Sequence, residues 1–69
     1  MVKLKDMRAG SIVMVRTNFG GGPAVRARVE DVCEDVKNGR PGIDYFTLPN
    51  DTTGGSWAYL DAVDRVITY

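Results

Sequence analysis

Ala24-Val-Arg-Ala-Arg-Val-Glu30 is the stretch that decides the fold of this chain of 69 residues. From Val25 onward apolar and charged residues alternate, so that Val25, Ala27 and Val29 share one face and the two arginines share the other. A period of two residues is typical of a β-strand with one buried face. The stretch therefore predicts a strand whose arginines are exposed to solvent.

The apolar pattern changes parity just after this strand. Val32 and Val36 fall on even positions, whereas the apolar residues before them fall on odd positions. A β-bulge or a sharp bend near Glu30-Asp31 explains the change, because small barrels need such a bend to close. The apolar spacing over 29–37 also fits a helix, and we favour a strand because the preceding alternation continues directly into it.

Turn-forming residues divide the rest of the chain into short segments. Three glycines and a proline make 17–23 a loop, and 49–55 is a second cluster of turn residues. Asn38-Gly39 predicts a tight hairpin, because both residues accept a positive φ. A single helical or 3-10 turn is expected at 61–64, with Asp61 as its N-cap.

The segments between these turns have the lengths and compositions of strands. After a lead-in segment, 1–9, they predict a single all-β domain over 1–69, with further strands at 12–15, 43–48, 56–60 and 65–69. Both faces of 12–15 are apolar, which indicates a strand covered on both sides.

The order of these segments resembles that of an SH3-like barrel. Two stretches carry the resemblance, which covers about residues 7–69: Gly10-Ser-Ile-Val-Met-Val15 is similar to the opening strand of many such barrels, and Trp57-Ala-Tyr-Leu-Asp-Ala-Val63 resembles the last strand entering a 3-10 turn. The resemblance implies a five-stranded SH3-like barrel with a short 3-10 turn before its last strand. Tudor and KOW modules share the same features, so the resemblance does not select one function.

In length and layout the chain also resembles the plasmid-borne type II dihydrofolate reductases. In that family a Val-Gln-Ile-Tyr stretch from each of four subunits lines a shared pore that binds folate and the nicotinamide cofactor. The corresponding stretch here is Ser56-Trp57-Ala58-Tyr59, in which only the tyrosine is kept. The resemblance therefore implies the architecture and self-association, and it does not carry over the pore chemistry.

Composition argues against several kinds of chemistry. The chain has no histidine and one cysteine, Cys33, which excludes an internal disulfide and leaves too few ligands for a zinc site. Without histidine, a general base near neutral pH needs a strongly shifted carboxylate or lysine. We predict no catalytic residue, no metal site and no cofactor. Cys33 is expected to be a buried structural residue, unreactive because acids surround it in sequence: Glu30, Asp31, Glu34 and Asp35.

Charge is unevenly distributed although the formal net charge is zero. Residues 1–28 contain six basic groups and one acid, whereas 29–69 contain eight acids and three basic groups. Arg16, Arg26 and Arg28 form a candidate basic patch for phosphates. Solvated arginines on a strand face are the simpler interpretation, and the sequence pI of about 6.1 argues against strong nucleic-acid binding.

The aromatic residues offer a second candidate surface. Trp57 and Tyr59 share a face of their strand, and if that face is exposed beside Tyr45 the three form a platform for bases, peptides or cations. Phe19, in the glycine-rich loop, is the fourth candidate.

These observations favour a non-enzymatic binding module that meets a protein partner or a second copy of itself, similar to small accessory barrels of mobile elements and phages. The first alternative is a nucleic-acid-binding SH3-like domain, and the second is a homo-oligomer with a pore site like that of the type II dihydrofolate reductases. The residues at 1–10 contain no apolar core of a signal peptide, and the longest apolar run is too short to cross a bilayer. We therefore expect a cytoplasmic protein with no membrane partner.

Overall fold

A single antiparallel sheet of five strands makes up the protein. The computed structural model describes residues 2–48 and 55–69, and for Phe19 the main chain only. The strands are β1 (Ile12–Arg16), β2 (Ala24–Lys37), β3 (Arg40–Thr47), β4 (Ser56–Tyr59) and β5 (Val63–Thr68), and their order in the sheet is β4-β3-β2-β1-β5. The predicted all-β class with five strands is confirmed.

The helical segments of the described residues are single 3-10 turns: Leu4–Asp6, Asn18–Gly20 and Leu60–Ala62. The last of them immediately precedes β5, as predicted. Within the described ranges, no helix is long and apolar enough to cross a membrane. Of the second predicted turn cluster, 49–55, only Gly55 lies within the described residues.

β2 is one long strand with an irregularity at the predicted position. Val29 pairs with Tyr45 of β3 and Asp31 pairs with Asp44, so that Glu30 is an extra residue on β2. The predicted bulge near Glu30-Asp31 is therefore confirmed, and so is strand rather than helix for 30–37. The extra residue inverts the parity of the residues that follow it, which is why Val32 is apolar at an even position, and a second register shift lies between Cys33 and Lys37.

The β2–β3 hairpin closes through the predicted asparagine and glycine. Asn38 has φ 57° and Gly39 has φ 72°, so both central residues adopt the left-handed conformation that a tight two-residue hairpin requires. The carboxylate of Asp35 accepts a hydrogen bond from the Gly39 N–H at 2.8 Å. This bond fixes the turn from the β2 side.

The 3-10 turn before β5 begins one residue earlier than expected. Its N-cap is Tyr59, whose side chain makes no capping hydrogen bond. The prediction that Asp61 caps the turn is wrong, because Asp61 lies inside it and its carboxylate instead pairs with Arg40 at 3.0 Å. The start of the turn is set by where β4 ends against β3, which local sequence does not encode.

The core lies on the inner face of the bent sheet. It is built from inward-facing residues of the five strands, together with Met7 of the lead-in segment and Ala62 of the last 3-10 turn. Its buried hydrophobic residues are Met7, Val13, Val15, Ala27, Val29, Ile43, Tyr45, Ala58, Ala62 and Val63. Ile12 and Met14, on the opposite face of β1, are half-buried. The expected cover on both faces of β1 is thus complete on the inner face and partial on the outer one.

Candidate binding faces of the sheet

Strand register gathers arginines on the outer face of β5, β1 and β2. Met14 of β1 pairs with Arg26 on one side and with Arg65 on the other, and Ile12 pairs with Arg28 and with Thr68. Residues paired across antiparallel strands point to the same side of the sheet. The surface made of Ile12, Met14, Arg26, Arg28 and Arg65 is called the arginine face below.

The three arginines of this face are exposed to solvent. Within the described part of the chain, no ion pair and no side-chain hydrogen bond is formed by Arg26, Arg28 or Arg65. Arg16 occupies the next outward position on β1, but its guanidinium donates a hydrogen bond to the main-chain oxygen of Asp61 at 2.8 Å. The predicted patch of Arg16, Arg26 and Arg28 is therefore on one side of the sheet, with Arg16 anchored at its end.

The outer surface changes at the bulge at Glu30, where two paired aspartates of β2 and β3 follow the arginines. Beyond it, Asp31 pairs with Asp44, and Asp44 pairs with Trp57 of β4. Tyr59 lies two residues further along β4, on the same side as Trp57 because Ala58 between them is buried. The surface made of Asp31, Asp44, Trp57 and Tyr59 is called the acidic–aromatic face below.

The two aromatic rings of this second face already contact cations from the β2–β3 hairpin. Trp57 and Tyr59 meet edge to face, with ring centroids 5.1 Å apart. Lys37 Nζ lies 5.2 Å from the centroid of Trp57, and the guanidinium carbon of Arg40 lies 3.9 Å from that of Tyr59. Asn38 donates a hydrogen bond to the Tyr59 hydroxyl at 3.1 Å. These contacts hold the outward orientation of both rings, which sequence alone left open.

Tyr45 does not join the aromatic residues on the outside. It is 6% exposed and belongs to the core, while its neighbour Phe46 is half-buried and pairs with Arg28 at the border of the arginine face. The bulge sets this parity, because it determines which residue of β3 stands opposite each residue of β2. The side chain of Phe19 lies outside what the structure describes, so its predicted role stays a prediction.

A groove lies among the end of β1, β3 and β4, and the core residues Tyr45 and Ala58 form part of its lining. It encloses about 540 Å³, and its lining includes Arg16, Asn18, Thr47, Ser56 and Trp57. Volumes of this order are typical of small-ligand sites. Arg16 is the residue that this groove shares with the outward row of β1.

Cys33 lies beside the acidic residues of the second face. It is half-buried rather than buried, which corrects the expectation from sequence. Its thiol donates a hydrogen bond to the carboxylate of Asp44, with 3.8 Å between sulfur and oxygen. Desolvation is the largest cause of the raised pKa of the Cys33 thiol. The negative charges of Asp44, Asp31 and Asp35 raise this pKa further. Asp44 is close only through the β2–β3 pairing, so the sequence analysis did not name it.

We expect Cys33 to be a slow nucleophile at neutral pH. A raised pKa keeps the thiol protonated, so the alkylation rate should inflect at a higher pH than that of a free cysteine. Asp44→Asn removes the nearest negative charge and should increase the rate at pH 8 several-fold. Alkylation with iodoacetamide, followed by mass spectrometry, measures both rates.

Asp64→Asn is the matched control for this prediction, because Asp64 is exposed on β5 and is not among the groups that shift the thiol. Its alkylation rate should equal that of the wild type. Equal rates in wild type and Asp44→Asn would show that the Asp44 charge does not govern the thiol.

Sequence patterns alone did not indicate Arg65 or Asp44 as members of these surfaces, or Phe46 at the border of the arginine face. Arg65 joins the arginine face because β5 pairs with β1, and Asp44 and Phe46 are placed by the pairing of β3 with β2. Side chains alternate between the two faces along β3. Once the extra residue of β2 is assigned to Glu30, this alternation predicts that Asp44 and Phe46 point outward.

Comparisons with models of protein families, with curated proteins and with solved structures give no match to this chain.

Proposed function

We propose that this chain is a binding module that holds single-stranded nucleic acid on its arginine face. The observation that carries the proposal is the cross-strand register, which sets Arg26 and Arg65 on either side of Met14 with Arg28 beside them. Adjacent strands lie about 4.8 Å apart, so these arginines can follow the phosphates of an extended strand. Guanidinium groups bind phosphates through paired hydrogen bonds.

The zero net charge does not oppose this proposal, because the acids are concentrated on another part of the surface. Asp31 follows Arg28 by three residues of extended chain, which is about 10 Å. That separation equals about one Debye length at physiological salt, beyond which exposed charges are largely screened. A phosphate on the arginine face is therefore largely screened from Asp31 and from the acids beyond it.

Apolar and aromatic groups next to the arginines favour a single strand over a duplex. Ile12 and Met14 lie between the guanidiniums, and Phe46 lies beside Arg28. Unpaired bases stack on such side chains, whereas the bases of a duplex are stacked on one another and expose only their edges.

Binding of a fluorescent oligothymidylate, measured by anisotropy at low salt, tests the proposal. Weak and sequence-tolerant binding is expected, with a Kd of about 10⁻⁴ to 10⁻⁶ M near physiological salt. Arg26→Gln should weaken binding several-fold, because it removes one phosphate contact. Lys37→Gln is the matched control, since it removes one cation eleven residues further along β2, outside the arginine face.

Two results contradict the proposed function. One is the absence of oligothymidylate binding to the folded wild type at low salt and at protein concentrations at which it is monomeric. The other is an equal loss of affinity in Arg26→Gln and Lys37→Gln, which would indicate that net charge alone drives binding.

The same observations support a place among the SH3-like barrels, which we propose as the superfamily. The chain has five antiparallel strands in the order β4-β3-β2-β1-β5, a bend within the long β2, and a 3-10 turn between β4 and β5. In the type II dihydrofolate reductase alternative, the stretch Ser56–Tyr59 lines a pore made by four copies. That stretch is β4, and Trp57 and Tyr59 on its outer side contact the chain's own Lys37 and Arg40.

A further inference from the structure

We propose that the arginine face of one copy docks on the acidic–aromatic face of a second copy, so that the protein associates head to tail. This goes beyond nucleic-acid binding, and it rests on a different observation: the change of the outer surface at the bulge, where two paired aspartates follow the arginines.

Charge is the first ground for this pairing. The arginine face contains three exposed arginines that pair with no described acid. On the acidic–aromatic face, Asp31 and Asp44 have no cationic partner within the described part of the chain. Complementary potentials of this kind guide two surfaces together and fix their orientation.

The two faces also match in their apolar centres. Ile12 and Met14 lie half-buried between the arginines, and Trp57 and Tyr59 lie half-buried beside the aspartates. Protein interfaces typically combine such a centre, rich in methionine, aromatic residues and arginine, with a charged rim. Docking would cover the outer side of β1, which the fold itself covers only in part.

Both aromatic rings of this surface lie against a cation of the same chain, which is the kind of contact that an arginine of a second copy would make. Lys37 and Arg40 of the same chain lie over Trp57 and Tyr59 at 5.2 and 3.9 Å. Lys37 is exposed and its contact is the longer one, so an incoming arginine can replace it. Arginine stacks on an aromatic ring better than lysine does, which favours the exchange.

One chain cannot satisfy this pairing within itself. The two faces follow each other along β2 on the outside of one bent sheet, so they cannot meet without a second molecule. A contact between two different patches is heterologous, and it leads to a closed ring or to an open chain of copies. The predicted assembly is therefore salt-sensitive and grows with concentration.

Two double variants allow a direct test by sedimentation velocity. Arg26→Gln/Arg28→Gln disables one face and Asp31→Asn/Asp44→Asn disables the other, while each leaves the complementary face intact. We expect the wild type to associate at about 20 mM salt and to dissociate at about 0.5 M, since screening is stronger there. Each double variant should be monomeric at low salt, and an equimolar mixture should form a one-to-one dimer that grows no further.

The control is Lys5→Gln, which removes an exposed cation of the lead-in segment and should associate like the wild type. Circular dichroism establishes that each variant is folded before its oligomeric state is interpreted. A wild type that stays monomeric at low salt overturns the proposal, as does a mixture that forms no dimer. A tetramer that is indifferent to salt also overturns it, and would agree with the pore arrangement. No nucleic acid is present, so failure here is separate from failure of the proposed function.

Discussion

Gly42→Ala is expected to unfold the protein or to leave it barely stable. Gly42 is buried in β3, where it pairs with Cys33 of β2 and with Tyr59 of β4. A Cβ at this position would overlap the carbonyl oxygen of Ala58 and would press against the side chain of Val36. The carbonyl oxygen is main chain and cannot move without separating β3 from β4.

The expected loss is about 3 kcal/mol or more, at the upper end of what overpacking costs. A domain of this size has a total stability of only a few kcal/mol. Urea denaturation followed by the fluorescence of the single tryptophan, Trp57, measures the change. Gly21→Ala is the matched control: Gly21 has φ −90° and its Cβ would lie 3.4 Å from the nearest atom, so we expect no measurable loss. A stable Gly42→Ala variant would show that β3 and β4 are not packed this closely.

Ile43→Ala is expected to have the second-largest effect. Ile43 is fully buried, and it stands between Val32 of β2 and Ala58 of β4. Truncation removes three carbon atoms from the core and leaves a cavity, which costs about 2–5 kcal/mol. The urea midpoint should fall accordingly, with an unchanged slope.

Ile67→Ala makes the same chemical change outside the core. Ile67 is on the edge strand β5 and is 41% exposed, so its loss should cost about 0.5 kcal/mol or less. Equal losses in the free energy of unfolding would mean that Ile43 does not lie at the centre of the core. Comparing the urea midpoints of the two variants therefore tests whether Ile43 points inward from β3.

Local sequence patterns predicted most of the fold. The alternation over Ala24–Glu30 predicted β2, and the shift to Val32 and Val36 predicted the bulge. Asn38-Gly39 predicted the hairpin, because positive φ at two successive residues suits this pair. Each of these signals lies within a few residues, where periodicity and conformational preference act directly.

The candidate surfaces depend on pairing between distant segments, which local pattern does not contain. Tyr45 and Phe46 are equally suited to the core, and only the register with β2 sends Tyr45 inward. Arg65 comes next to Met14 through the closing strand β5, forty residues and more from β1. Side chains from separate strands therefore join a surface only when the register is known.

The salt dependence of oligothymidylate binding tests the central claim most directly. Three arginines that contact phosphates in a single strand predict a slope of about −2 for the logarithm of the association constant against the logarithm of salt concentration. Arg26→Gln should reduce that slope by about 0.7, and Lys37→Gln should leave it unchanged. A slope near zero, or one that Lys37→Gln lowers as much as Arg26→Gln does, would contradict the assignment of the arginine face as the nucleic-acid site.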